Sequence, residues 1–275
     1  MADFPKQNRT PVILSIAGFD PSSGAGITAD IKTAAAHGCY AATCVTALTV
    51  QTTQGVRTVE PVRPEIVQAT LRELFADLPV AAVRLGMLGS AEVTGAVAKF
   101  LEAERPANVV VDPIVRSSSG ADLLSPAGLD ILRQSILPLS SVVTPNIDEA
   151  AALTGISIAG LQEAQRAAEK LLDEGVKAVV ITGGHLKSPA DTLFWREGGR
   201  LQIRSYPSRK LESRSTHGTG CAFATSIACS LALRMELADA VPRAQQYVLR
   251  AIQEAEPLGK GIGPIDHFWP LRPQS

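Results

Sequence analysis

The 275-residue chain is poor in the features that most often betray a function. Aromatic residues make up only 4% and charged residues 19%, against 45% hydrophobic positions. A chain of that composition builds its core from Ala, Val, Leu and Ile, and is neither disordered nor stapled by disulfides. Its 4 cysteines, Cys39, Cys44, Cys221 and Cys229, form no C-x-x-C pair, which argues against a zinc or disulfide framework. Lys and Arg total 26 against 27 acids, for a net charge of -1. No bulk field draws the chain to nucleic acid or to an anionic membrane, so partners have to be argued from local sites. No apolar run reaches the roughly 18 residues a membrane span needs. The opening "MADFPKQNRT" reads as a short extension, 1–10, without signal-peptide character, and a cytoplasmic protein is expected.

What the chain does have is alternation. Short β-branched runs recur at 12–17, 42–50, 81–86, 108–112, 141–144 and 178–182, and their lack of strict polar alternation suits strands buried on both faces of a parallel sheet. Helical patterns lie between them at 63–77, 91–104 and 161–175. "DTLFWREGGRLQIR" (191–204) reads as a hairpin turning at Glu197–Gly199, at one antiparallel edge. The fold expected is therefore α/β, a mostly parallel doubly wound sheet with an antiparallel edge hairpin, in a single domain over 11–270. Ligands in such folds bind beyond the carboxyl ends of the strands.

Four strand ends carry chemistry. "AGFDPSSGAGITAD" (17–30) follows the first strand with Gly18, Asp20, Gly24 and Gly26; it matches neither G-x-G-x-x-G nor G-x-x-x-x-G-K-[ST], and is either a ligand loop or a plain connection. "VVVDPIV" (109–115) ends a strand in Asp112, a turn cap or a group near metal and phosphate. "TPNIDEA" (144–150) sets Asn146 three residues before Glu149. That spacing is a capping box, or two polar groups facing the crevice around Mg²⁺. "RSTHGTGCAFAT" (214–225) turns glycines into a helix, so the amides of Gly218, Thr219, Gly220 and Cys221 are unpaired at a positive helix end that suits a phosphoryl group.

Taken in order, "AGFDPSSGAGITADIKT", "VVVDPIV", "TPNIDEAAAL", "GGHLK" and "STHGTGC" resemble the ribokinase-like superfamily, in particular its hydroxymethylpyrimidine kinase/phosphomethylpyrimidine kinase branch. The likeness runs from about residue 11 to "GKGIGPIDHF" (259–268). It implies a ribokinase-like three-layer sandwich and a homodimer. It also implies ATP- and Mg²⁺-dependent phosphorylation of 4-amino-5-hydroxymethyl-2-methylpyrimidine and then of its monophosphate, for thiamine biosynthesis. Gly18, Ala25, Gln51, Met87 and Ile114 match positions lining the pyrimidine pocket, beside the Asp20 loop. A Gln suits that task, since its carbonyl accepts from an exocyclic amine while its amide donates to the adjacent ring nitrogen. Asp112, Asn146 and Glu149 match positions around metal and phosphates, with Gly184 of "GGH". Thr216, Gly218, Thr219 and Gly220 match the anion hole, and Cys221 the place of the base. One position departs: where relatives carry a lysine before Gly-Gly, this chain has Thr182, which lacks the charge, leaving Lys187 or a nearby Arg to compensate. With His185 and His217 near the site but no third ligand at suitable spacing, zinc is not expected. Rival readings are a vitamin B6 (pyridoxal) kinase on the same scaffold, or a pyrimidine-binding sensor without turnover.

Overall fold

The computed structural model describes residues 10–116, 120, 122–183, 190–209 and 211–272. The central strands are β1 (Val12–Phe19), β2 (Tyr40–Thr52), β3 (Gly55–Pro61), β4 (Val80–Leu85), β5 (Val109–Val111), β6 (Val142–Val143), β7 (Ala178–Thr182), β8 (Ala190–Glu197) and β9 (Arg200–Pro207). They pair in the order β3-β2-β1-β4-β5-β6-β7-β8-β9. From β2 through β7 neighbours run parallel, with Leu14 opposite Ala42 on β2 and Val83 on β4. The β8–β9 hairpin turns at Gly198–Gly199 and lies antiparallel against β7. β3, antiparallel to β2, forms a second antiparallel edge that the apolar-run pattern did not predict. It carries Arg57 and Glu60 and is half exposed along its length, as a strand with one neighbour can be.

Alternate side chains of each strand enter opposite cores. Leu14, Ile16, Val111, Val143 and Ile181 meet Val67, Leu71, Val97, Leu101, Leu153 and Leu171. These come from α2 (Pro64–Asp77), α3 (Ala91–Glu104), α5 (Ile147–Thr154) and α6 (Leu161–Asp173), with the short α4 (Pro126–Ile131) on the same side. Ile13, Val110, Val142 and Val180 meet Ala34, Phe223, Ile227, Val241 and Ala244, from α1 (Gly26–Ala36), α7 (Thr219–Ala232) and α8 (Leu237–Gln253). A continuous Val/Ile run is thus buried on both faces, each such side chain contributing about 1.5–3 kcal/mol when fully covered. The result is a helix–sheet–helix sandwich.

The chain order reverses beside β1: α1 leads from it to β2 on one side, while β4 lies on the other. That switch point opens a crevice at the carboxyl ends of the strands. A small parallel pair, β10 (Ser215–His217) with β11 (Gly263–Pro264), closes one wall of it just ahead of α7.

Candidate active site

The crevice is a cleft of about 1570 Å³, roomier than the roughly 300–1,000 Å³ of a single-ligand pocket. Gly18, Asp20, Ala25, Gln51, Met87, Asp112, Ile114, Asn146, Glu149, Thr182, Thr216, Gly218, Thr219, Gly220 and Cys221 all line it. These candidates come from seven separate stretches of chain. Gly184, His185 and Lys187 lie outside the described residues.

Four features set its chemistry. The first is the start of α7. Gly218 is the cap residue with φ +87°, in the left-handed region that glycine enters freely. A Cβ there would fall 1.8 Å from the carbonyl oxygen of Gly24, so the turn cannot be made by a larger residue. The first helical bond runs from Ala222 N–H to the Gly218 carbonyl, and no described side chain caps the end. The amides of Thr219, Gly220 and Cys221 therefore face the cleft side of a positive helix terminus.

The second is a buried ion network beneath those amides. Arg84, 0% exposed on β4, donates to Asp30 Oδ2 at 3.0 Å and to Asp112 Oδ2 at 2.6 Å. Ser15 and Thr225 donate to Asp30 at 2.6 and 2.7 Å. Cys221 packs into the same cluster. Burial, then the negative charge of Asp112 and Asp30, pushes its thiol up to about 12 against the pull of Arg84 and of the Gly26 amide. The helix end does not prevail, and in the free protein Cys221 is a neutral thiol. A thiol so raised is a hydrogen-bond donor in the free protein, beside Asp112.

The third is the Asn146–Glu149 pair at the start of α5. Asn146 Oδ1 accepts from the Glu149 N–H and Glu149 Oε2 accepts from the Asn146 N–H, both at 2.9 Å. The capping box is formed, so these side chains start α5 and are not both free ligands. Burial and the neighbouring Asp112 raise Glu149 to about 8, while burial, opposed by Arg84, raises Asp112 to about 6. Among the described residues no three His, Cys, Asp or Glu are grouped to hold a metal. An excess of buried carboxylate at the cleft does fit Mg²⁺ held largely by water and phosphate oxygens.

The fourth is the Asp20 loop. Asp20 accepts from Ser22 N and Oγ at 2.8 and 2.7 Å, from the Gly24 and Ala25 amides at 3.2 and 2.9 Å, and from His217 Nε2 at 2.8 Å. Its carboxylate shapes the loop at the cleft wall. Met87 and Ile114 join Ala47 and Leu123 in a small apolar cluster, a flat-ring surface next to Gln51. Arg84, Asp30 and Lys260, the last also lining the cleft, were not singled out as site groups from sequence, and His217 was placed near the site without a role. For Arg84 there was a signal: one arginine in an otherwise apolar strand needs a buried partner.

Thr182 N–H donates to the Pro145 carbonyl at 3.0 Å, tying β7 to the Asn146 turn. Described cations on the cleft wall are Arg116, Arg214 and Lys260, and Arg116 is paired with Asp122 at the surface at 2.8 Å.

Comparison with known proteins places this geometry. Residues 20–266 match the family model described as phosphomethylpyrimidine kinase. A hydroxymethylpyrimidine/phosphomethylpyrimidine kinase of Rhizobium meliloti is 44% identical over 262 residues, 94% of this chain and 97% of that protein. A phosphomethylpyrimidine kinase from Clostridium difficile superposes with TM-score 0.79 and 35% identity over 88% of this chain and 100% of that one. The pyridoxal kinase of Bacillus subtilis, solved as an ADP complex, gives 0.85 and 30% over 94% and 98%. The chain belongs to the phosphomethylpyrimidine kinase family.

Proposed function

We propose that residues 11–270 act as one kinase domain that transfers the γ-phosphoryl group of ATP to 4-amino-5-hydroxymethyl-2-methylpyrimidine, and then to its monophosphate. The observation that carries this is the meeting, in one cleft, of the open α7 amides with Gln51 and the Met87–Ile114 surface. One end holds anions; the other holds a polar-edged ring.

Phosphoryl transfer asks for position and charge neutralisation more than covalent work. The Thr219–Cys221 amides stabilise charge on the transferring group, and Gly218 and Gly220 leave room for it to approach. Arg84 holds Asp112 in place and balances part of its charge. Gln51 orients the ring so that its hydroxymethyl group points at the amides. Mg²⁺, held near Asn146, Glu149 and Asp112 largely through water, would neutralise charge on the nucleotide phosphates. Thr182 offers a hydroxyl where relatives carry a lysine, and Arg214 and Lys260 are the described cations free of the Asp122 pair that could supply charge to the cleft. The protein is proposed to be cytoplasmic. A homodimer would use Leu48 and Val50, 52% and 59% exposed on the face of β2 opposite Thr49 and Gln51.

A coupled ADP-release assay with the pyrimidine alcohol, its monophosphate and pyridoxal tests the reading. Turnover of both pyrimidines is expected. Turnover of pyridoxal alone would make the chain a vitamin B6 kinase, as the Bacillus subtilis likeness allows, and tight binding without turnover would make it a sensor.

A further inference from the structure

His217 is the side chain of the 216–220 loop that phosphoryl chemistry leaves unused. It stands between two parts of the pyrimidine end of the cleft. Nε2 lies 2.8 Å from Asp20 Oδ2 and 3.1 Å from the nitrogen arm of the Gln51 carboxamide. The ring packs so tightly on Gly24 that a Cβ there would sit 2.3 Å from Cδ2. Its position is therefore fixed by backbone as well as by hydrogen bonds.

The hydrogens can be counted. Burial raises Asp20, but hydrogen bonds from His217 and Ser22 outweigh it and hold the carboxyl below its ordinary value. An ionised carboxylate only accepts, so Nε2 carries the hydrogen. A nitrogen arm of Gln51 facing it would set donor against donor. Turning the planar amide by 180° exchanges its nitrogen and oxygen with little change in distance; the carbonyl then shares the single Nε2–H with Asp20 Oδ2 in a three-centre contact, which removes the donor–donor clash. The other arm lies 3.2 Å from Thr49 Oγ1, which is itself 3.0 Å from the Phe19 carbonyl oxygen. That carbonyl takes the single hydroxyl hydrogen, so Thr49 must accept from Gln51. Both neighbours demand the same amide orientation.

We infer that His217, with Thr49, is a specificity-determining residue that locks the Gln51 amide in one orientation. A primary amide has two N–H groups and two lone pairs. Thr49 uses one N–H and His217 one lone pair, which leaves one donor beside one acceptor for the substrate. That pair is complementary to an amino group next to a ring nitrogen, the N=C–NH2 edge of an aminopyrimidine. With the hydroxymethyl group committed to the α7 amides, the ring cannot reverse to suit a turned amide, so the order of donor and acceptor matters. A site built to pair such an edge rejects an analogue that lacks it, because its own groups are then left unpaired.

The inference rests on the pyrimidine reading above. Its test compares kcat/KM for the pyrimidine alcohol with that for 5-hydroxymethyl-2-methylpyrimidine, which lacks the amino group, in wild type, His217→Phe, His217→Gln and Thr49→Val. Wild type is expected to favour the amino compound by about tenfold or more. His217→Phe should reduce that preference to about threefold or less, through KM for the pyrimidine, with KM for ATP unchanged. His217→Gln, which restores an N–H at a similar reach, should recover most of it. Thr49→Val, at a half-buried position, should erode the preference in the same direction and serves if His217→Phe fails to fold. Equal losses on both alcohols, or no recovery in His217→Gln, would mark His217 as a buttress of the Asp20 loop and overturn the inference alone. No turnover of the pyrimidine by wild type would overturn the functional reading and the inference with it.

Discussion

At the floor of the cleft a thiol, a guanidinium and two carboxylates share one buried cluster, and each alters the others. Cys221 stands where the helix end should favour a thiolate, yet burial among Asp112 and Asp30 lifts it to about 12. A neutral thiol cannot act as a base at pH 7, and phosphoryl transfer asks little of one. Cys221→Ala is therefore expected to keep kcat within about tenfold of wild type, read by steady-state kinetics at saturating ATP. A loss near the roughly 10²–10⁴ that general bases contribute would restore the base. This cluster was only half legible in the sequence. Asp112 and Cys221 announce themselves at strand and helix ends, whereas Arg84 and Asp30 sit in a strand and a helix 54 residues apart, where spacing carries no sign of their contact.

At the scale of elements, the junction of β10 with α7 brings backbone, not side chains, to the reacting groups. Gly218 and Gly220 should respond differently to the same added methyl. Gly218→Ala meets φ +87° and the Gly24 carbonyl, so it should lose more than about 1–2 kcal/mol of stability along with activity. At Gly220 a Cβ would lie 3.9 Å from both carboxylate oxygens of Asp112, an ordinary contact. Gly220→Ala should melt within about 0.5 kcal/mol of wild type but lose about 10²-fold in kcat, as enzymes do when one anion-hole amide is obstructed. Thermal melts beside kcat separate the two. The glycines and the helix start are readable from sequence because both follow from local geometry. β3 is not, since an edge strand needs only one apolar face and Gly55–Pro61 interleaves charges with its valines.

Across the whole molecule, one salt-bridge network links β1, α1, β4, the end of β5 and α7 through Ser15, Asp30, Arg84, Asp112 and Thr225. The network lies on the α1/α7 face of the sheet and pins that helical layer to β1, β4 and the end of β5, directly under the site. Removing its cation strands two buried carboxylates, so Arg84→Met should lower the unfolding free energy by about 3–5 kcal/mol, read as a fall in the denaturant midpoint. An unchanged midpoint would mean that the carboxylates are relieved by protonation or water. The layers themselves were legible, because strands covered on both faces read as unbroken apolar runs. The convergence of seven chain stretches on one cleft was legible only through the ordered likeness to a family, since each loop alone also reads as a cap or a connection.

The central claim is that this cleft phosphorylates one pyrimidine twice. A ³¹P NMR time course with ATP, Mg²⁺ and 4-amino-5-hydroxymethyl-2-methylpyrimidine follows the products directly. A phosphomonoester signal should rise as the ATP γ-signal falls, and then give way to the paired signals of an organic diphosphate. Growth of inorganic phosphate alone, or an ATP spectrum that does not change, would contradict the account.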